Sequence, residues 1–272
     1  MQRDKKGKIT KKYSDEYIKK LLDENKYNNI SIAEISKREN IAKGTLEYRA
    51  KQLGYNIKSH KRKYNFNENY FDNIDTDTKA YFLGFIMADG CIIKTRPTSK
   101  LPNRLVINIS SKDRIILEEL KKELQATCDI IDYYPNVHTY ANNQMSKLVI
   151  NSQHLCTSLM KFNVTERKTG HEAIPKINEK YIPSFIRGFF DGDGTGTMGN
   201  IGFCSSKRMI QDLKKIFVSW GMTGALTIKK DKRHENIYTL HIFKKEDKKI
   251  YCDKVYTNDC FCLKRKYDKI IR

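Results

Sequence analysis

The chain has 272 residues, with 52 Lys and Arg against 32 Asp and Glu, which gives a formal net charge of +20 at pH 7. This length allows one large domain or two smaller ones, each with a sizeable core. So much positive charge repels itself unless a polyanion neutralises it. We therefore expect nucleic acid as the first partner, an anionic membrane surface as the second, and a merely soluble basic protein as the alternative.

The sequence argues against a membrane-spanning or secreted protein. Its longest strongly apolar run, residues 81–88, is far shorter than the roughly 20 residues that cross a bilayer. The first residues, MQRDKKGKITKKY, have no apolar core after their charges, so we expect no signal peptide. Seven scattered cysteines without a CxxC pair predict reduced thiols and a cytoplasmic location, with an organelle or a phage-infected cell left open.

Residues 1–57 have the pattern of a small helical DNA-binding module. A helix capped near Ser14 precedes two short helices, one capped by Ser31 and one over about 42–53, with a break at residues 39–40. This arrangement resembles a helix-turn-helix, which places its second helix in the major groove of DNA. That helix carries side chains suited to phosphates and base edges: Lys43, Thr45, Tyr48 and Arg49. A helical hairpin that only packs is the alternative.

A basic linker joins this module to a region that repeats itself. The segment KSHKRKYN, residues 58–65, has no periodicity, and we expect it to contact the phosphate backbone through Arg62. Each half of the region, residues 66–170 and 171–272, is predicted to fold as helix, two strands, helix, two strands, helix. A period of this length does not suit a solenoid and predicts a duplicated α+β subdomain.

Each half contains an apolar helix that ends in Asp-Gly, within YFLGFIMADG at residues 81–90 and FIRGFFDGDG at residues 185–194. Both helices carry small residues at positions i and i+4, which are Gly84 with Ala88 and Gly188 with Gly192. Positions with this spacing share one helix face, and small side chains there let two helix backbones approach closely. The two motif helices are therefore predicted to pack on each other.

Parallel packing of these helices would bring Asp89 and Asp193 together at their carboxyl ends. We expect Gly90 and Gly194 to end the two helices in the left-handed conformation. Two carboxylates at helix carboxyl ends are costly, because they repel each other and because the helix dipole adds negative charge there. A divalent cation such as Mg²⁺ removes both costs. A metal between carboxylates on a basic protein favours phosphodiester chemistry.

The segments FLGFIMADG (82–90) and IRGFFDGDG (186–194) resemble the two defining motifs of single-chain LAGLIDADG homing endonucleases, and the resemblance covers about residues 66–272. It implies a pseudo-two-fold, duplicated αββαββα fold with saddle-shaped antiparallel sheets. It also implies that Asp89 and Asp193 bind a catalytic Mg²⁺ or Mn²⁺, with the carbonyls of Ala88 and Gly192 as supplementary ligands. The implied activity is that of a monomer that cuts both strands of a long double-stranded DNA site and leaves short 3′ overhangs.

The family also places a basic residue near each active site, after the last helix of each half. The matching pairs are Arg167-Lys168 and Arg265-Lys266, and the resemblance implies that Lys168 and Lys266 steady the water network or the phosphate charge. The sixth motif position is Met87 in one copy and Asp191 in the other, a position at which the family tolerates variation.

The predicted strands are expected to read DNA with one face while the other packs on helices. In RLVINIS, Leu105 alternates with outward-facing neighbours, as in a sheet with one buried face. Outward-facing side chains expected on base edges or phosphates are Arg104, Asn108, Lys229, Arg233 and His241.

Two other functions are compatible with the same residues. An intron RNA maturase could retain both acids, although a duplex-reading helix-turn-helix favours DNA. A transcription regulator derived from an endonuclease is the other alternative, and loss of an acid would have favoured it.

Overall fold

The structure is a computed structural model that describes residues 13–27, 30–57, 64–135, 143–197, 200–224, 226–231, 236–257 and 259–271. Its contacts divide the chain into two compact units, residues 1–63 and 64–272, which are treated separately below. Two of the predicted DNA contacts, Arg62 and Arg233, and most of the predicted linker lie outside the described residues.

The described residues of the first unit form three short helices: α1 (Asp15–Tyr27), α2 (Ile32–Arg38) and α3 (Lys43–Gln52). Ser31 starts α2 with a capping box, because its hydroxyl accepts a hydrogen bond from the Glu34 N–H while the Glu34 carboxylate accepts one from the Ser31 N–H. Asn40 adopts a positive φ of 50° in the turn before α3. A small apolar core joins the helices: Ile18, Leu21, Leu22, Ile32, Ile35, Ile41, Leu46 and Ala50. The helix-turn-helix assignment stays a prediction.

In the first half of the second unit, the residues that the structure describes form three α-helices and four strands. In chain order they are α4 (Asp77–Asp89), β1 (Gly90–Ile93), β2 (Arg104–Ser110), α5 (Arg114–Glu123), β3 (Ile131–Tyr133), β4 (Met145–Asn151) and α6 (Gln153–Lys161). Hydroxyl caps start the first and last of these helices, because Thr76 accepts from the Lys79 N–H at 3.2 Å and Ser152 accepts from the Leu155 N–H at 3.1 Å.

The second half repeats this order and adds a further helix at its end. Its elements are α7 (Ile182–Asp193), β5 (Thr195–Thr197), β6 (Asn200–Ser206), α8 (Lys207–Ser219), β7 (Ile228–Lys230), β8 (Ile237–Ile242), α9 (Lys245–Val255) and α10 (Lys264–Ile270). The sequence analysis does not predict α10, because its residues KRKYDKI are mostly charged and show no apolar face.

Each half builds one four-stranded antiparallel sheet, with the strand orders β1-β2-β4-β3 and β5-β6-β8-β7. In β2, Leu105 and Ile107 are buried while Asn108 is exposed, as expected for a sheet with one face on the core. The α+β class and the duplicated αββαββα order predicted from the sequence are confirmed.

Helices α4 and α7 form the centre of the second unit. Gly84 lies against the backbone of Phe185, and Gly188 lies against the backbone of Tyr81. One turn further along, Gly192 lies against Ala88, so the contacts advance in the same direction along both helices. The two helices are therefore parallel, and their carboxyl ends lie together.

The expected left-handed conformation of Gly90 and Gly194 is wrong. Their φ and ψ angles are −79° and 152°, and −72° and 149°, because each chain leaves its helix directly into an extended strand. Glycine is required there for space. A Cβ on Gly90 would lie 2.7 Å from the Ile86 carbonyl oxygen, and one on Gly194 would lie 2.2 Å from the Phe190 ring.

Candidate active site

The carboxyl ends of α4 and α7 meet because glycine permits backbone contact between the helices. A Cβ on Gly84 would lie 2.0 Å from the carbonyl oxygen of Phe185, and one on Gly188 would lie 1.8 Å from that of Tyr81. Either substitution would force the helices apart. At the end of the interface, a Cβ on Gly192 would lie only 3.1 Å from Oδ2 of Asp89.

Asp89 and Asp193 therefore face each other at the two carboxyl ends. Burial and, to a smaller extent, the neighbouring charge of Asp193 raise the pKa of Asp89 to about 6. Burial also raises the pKa of Asp193, while Lys168 and Lys266 act in the opposite direction. The ionised pair is thus held at a cost, which bound protons or a bound cation would relieve.

The donor atoms at this junction fit a hard divalent cation. Two carboxylates and the main-chain carbonyls that precede them are oxygen ligands, the kind that Mg²⁺ and Mn²⁺ prefer. Within the described ranges, no three His, Cys, Asp or Glu side chains are grouped so as to hold a metal ion. A cation here would accordingly rely on Asp89, Asp193, main-chain oxygen and water.

The two lysines predicted near the acids contact the carbonyls predicted as supplementary ligands. Nζ of Lys168 donates to the Ala88 carbonyl at 2.6 Å, and Nζ of Lys266 donates to the Gly192 carbonyl at 2.7 Å. A carbonyl oxygen has two lone pairs, so these hydrogen bonds leave one acceptor position on each oxygen.

The two lysines differ in their surroundings. Lys266 also donates to the carbonyls of Phe190 at 2.9 Å and Gly194 at 2.8 Å, which occupies all three of its N–H groups, and it is 8% exposed. Lys168 is half-buried, and in the described part of the chain its ammonium contacts one carbonyl. Lys266 follows α9, the last helix predicted from the sequence, and lies inside the additional helix α10.

Asp191 was noted in the sequence only as a variable motif position. Its buried side chain connects α7 to α4 and to the segment that precedes α10. Its Oδ2 accepts hydrogen bonds from the Tyr81 hydroxyl at 2.8 Å and from the Leu263 N–H at 2.7 Å. Burial raises the pKa of Asp191 to about 6. Nearby, Arg187 donates to the carbonyls of Val255 and Phe261. A charge within an apolar helix was the signal that could have identified both residues.

A second contact, which the sequence analysis did not predict, connects the two halves. Nε of Arg265 in α10 donates to Oδ1 of Asp113 at 2.6 Å, and Nη2 of the same arginine donates to Oδ2. Asp113 lies at the start of α5 in the first half, and its side chain is 11% exposed. This bidentate pair holds α10 next to the acids.

The predicted DNA-reading residues of the second unit lie on the sheets. Arg104 and Asn108 belong to β2, where Asn108 is exposed and Arg104 donates to Oδ1 of Asn151 at 2.7 Å. Lys229 is exposed in β7, and His241 is half-buried in β8. The described members of this set therefore share sheet positions that are accessible to a ligand.

In the first unit, the predicted contacts do not all lie on one accessible face. Lys43, Thr45 and Tyr48 are exposed on α3. Arg49 is 8% exposed and forms an ion pair with Asp15, so it connects α3 to α1. The expectation that Arg49 contacts DNA is not supported by this position, because a buried and paired guanidinium is not available to a phosphate.

No helix in the described ranges combines the length and the apolar character needed to cross a membrane.

Comparisons with known proteins agree with the motifs and the fold. Residues 180–256 match the family model described as LAGLIDADG-like domain. A structure of I-DmoI in complex with DNA and Ca is 17% identical to this chain and has a TM-score of 0.50. The match covers 74% of this chain and 97% of the I-DmoI chain. A structure of mesophilic variants of the homing endonuclease I-DmoI gives the same values. I-WcaI bound to its DNA recognition sequence is 11% identical, with a TM-score of 0.49 and coverage of 75% and 91%. No curated protein matches the chain in sequence. The resemblance inferred from the two motifs is thus confirmed: the chain contains a LAGLIDADG-like domain and has the fold of the single-chain LAGLIDADG homing endonucleases.

Proposed function

We propose that this protein is a divalent-metal-dependent DNA endonuclease that makes a double-strand break in a long recognition site. The observation that carries the proposal is the meeting of Asp89 and Asp193 at the carboxyl ends of two parallel helices, where glycine brings the backbones into contact. Packing alone does not require two carboxylates at this position, and their mutual repulsion opposes it.

DNA is the proposed substrate for two reasons. The chain carries a net charge of +20, which suits a polyanion. Its fold is also that of I-DmoI, which has been solved in complex with DNA and Ca. The outer faces of the two sheets, with Arg104, Asn108, Lys229 and His241, are the proposed reading surface.

Asp89 and Asp193, with the carbonyls of Ala88 and Gly192, are the proposed ligands of Mg²⁺ or Mn²⁺. When bound, the cation would activate water and offset charge on the phosphate and the leaving group. Lys168 is placed to offset negative charge on a phosphate oxygen, because its ammonium lies beside both acids. Lys266 holds the carboxyl end of α7 in place through three carbonyls.

Both motifs lie in one chain, so the proposed active form is a monomer, with one acid serving each strand and short 3′ overhangs as the product. The first unit and the basic linker are proposed to lengthen the DNA footprint through Lys43, Thr45 and Tyr48, and they add no residue to the reaction. Free cysteines at all seven positions suit a reducing compartment.

Cleavage of a supercoiled plasmid tests this function. The plasmid carries the DNA that flanks the gene, joined as it would be without the gene, and the matched control plasmid carries the interrupted site. We expect linear product from the first plasmid in Mg²⁺, none in a chelator, and none from the control. Intact plasmid in Mg²⁺ and Mn²⁺, combined with faster splicing of the surrounding intron RNA, would instead support the maturase.

A further inference from the structure

One row of residues crosses the outer face of the second sheet just beyond Asp193. Gly202 of β6 pairs with Thr195 of β5 on one side and with His241 of β8 on the other. Gly202 belongs to the outer face, because its neighbour Phe203 points into the core. Thr195 is the first residue of β5 and follows Asp193, the last residue of α7, by two positions, so the row lies next to this acid.

The two side chains of the row converge on the space above the glycine. A Cβ on Gly202 would lie 2.6 Å from Oγ1 of Thr195 and 2.9 Å from Nδ1 of His241. In the parts of the chain that the structure describes, neither the Thr195 hydroxyl nor the His241 ring has a hydrogen-bond partner. The Thr195 hydroxyl and the His241 ring therefore lie side by side over the buried Gly202, as two neighbouring polar groups.

Both polar groups can recognise a base through hydrogen bonds. Burial lowers the pKa of His241, and the charge of Lys229 lowers it further, so the ring is neutral at neutral pH. A neutral imidazole has one nitrogen that donates a hydrogen bond and one that accepts, and a hydroxyl can both donate and accept. The His241 ring also stacks on exposed Phe243 at 5.6 Å between ring centroids, which restricts its orientation.

The corresponding row of the first sheet has different chemistry. Val106 of β2 pairs with Cys91 of β1 and with Val149 of β4, and Cys91 follows Asp89 by two residues. Two valines and a thiol offer apolar surface and only a weak hydrogen-bond donor. The two rows occupy equivalent positions beside the two acids, but only the second can form ordinary hydrogen bonds.

We infer that Thr195 and His241 form a specificity-determining pair that reads one purine base beside the second acid through its major-groove edge. A purine presents two hydrogen-bonding groups there, N7 with O6 or N6, whereas a pyrimidine presents one. Two neighbouring polar groups over the buried Gly202 match the two hydrogen-bonding groups of the purine edge. The apolar row of the first sheet matches the methyl group of thymine, so we expect the two halves to read the base pairs beside their acids by different means. This inference rests on the proposed function, since it requires DNA on the outer face.

Base-by-base profiling tests the pair. Sites that the wild-type protein cuts in Mg²⁺ are first recovered from a duplex library of random sequence. Competition binding, without divalent metal, then compares the four base pairs at every position for the full chain and for the variants Thr195→Val and His241→Leu. Thr195→Val keeps the shape of the side chain and removes the hydroxyl, and Thr157→Val on α6 is the matched control, because its hydroxyl bonds within its own helix.

The wild-type profile should show one position, on the side of the second half, at which A or G on one strand is favoured about tenfold over T or C. Both variants should flatten this position and leave the others unchanged, and Thr157→Val should reproduce the wild-type profile. Unchanged profiles, or a loss of affinity spread evenly over all positions, would overturn the inference. A library without any cut or bound site would overturn the proposed function itself, so the two failures are distinguishable.

Discussion

Asp89 and Asp193 are acidic residues at positions where the fold disfavours negative charge. Each lies at the carboxyl end of a helix, where the dipole is also negative, and burial raises the pKa of both carboxyl groups. The divalent cation that we propose here would offset this unfavourable energy. The neighbouring residues hold the ends of the helices in place. The unfavourable electrostatic energy is therefore confined to the two carboxylates that the reaction is proposed to use.

Replacing either acid by asparagine should abolish linear product while DNA binding survives. Asp89→Asn and Asp193→Asn keep the shape of the side chain and remove one metal-binding charge, and binding should become equal or tighter because repulsion of the phosphates falls. Plasmid cleavage and a binding titration measure the two effects. Asp253→Asn, at an exposed site on α9, is the control. Ordinary cleavage by either acid variant would contradict the assignment of the metal ligands.

The two lysines should respond differently to removal of their charge. Lys266→Met leaves three carbonyls at the end of α7 without their donor and should lower the free energy of unfolding by about 3 kcal/mol or more. Lys168→Met removes one hydrogen bond and should change the free energy of unfolding by about 1 kcal/mol, while slowing cleavage. Chemical denaturation and single-turnover cleavage measure both quantities. Equal unfolding free energies for the two variants would contradict the difference seen in their contacts.

At the scale of elements, α4 and α7 are joined through their backbones. Each helix presents a glycine to the carbonyl of the other, so the axes approach more closely than any residue with a Cβ would allow. The same contact fixes the register of the two helices and hence places Asp89 beside Asp193.

Gly84→Ala and Gly188→Ala should each destabilise the protein by about 1–3 kcal/mol or more and reduce cleavage in step, because one methyl group must push two backbones apart. Thermal melting and cleavage on the same samples measure this. Gly44→Ala is the matched control, since a Cβ on this helical glycine meets no atom within 4 Å, and it should leave stability equal or slightly higher. Wild-type melting of both interface variants would mean that the helices tolerate separation.

The sequence was sufficient for the elements that have strong periodicity or a repeated motif. The order of strands and helices and the close helix pair follow from alternation, small-residue spacing and duplication. Helix α10 could not be predicted, because its position depends on Arg265 reaching Asp113 and on Lys266 reaching three carbonyls far away in the chain. The burial of Arg49 could not be predicted for the same reason, since its partner Asp15 is on another helix.

At the scale of the whole molecule, the net charge and the division into two units both bear on the proposed binding of DNA. The first unit has its own apolar core and contributes exposed polar residues on α3, whereas the acids and both lysines belong to the second unit. Affinity and chemistry should therefore be separable.

A chain that begins at Tyr64 should cut the same phosphates as the full chain, with weaker binding. Each lost phosphate contact should reduce the slope of log affinity against log salt by about 0.9. A salt titration of binding and mapping of the cut ends measure the two properties. An unchanged slope would mean that the first unit does not engage DNA, and a displaced cut would mean that it helps to select the scissile phosphates.

The hydrogen bond from Tyr81 to Asp191 has a consequence for the ancestry of the chain. In the aligned repeats, Phe185 takes the place of Tyr81 and Met87 takes the place of Asp191. Two copies of the first half would bury a tyrosine hydroxyl against methionine, and two copies of the second would leave the aspartate facing phenylalanine. Each half therefore complements the other half better than it would complement a copy of itself, which favours the two different halves in one chain over a symmetric dimer of either half.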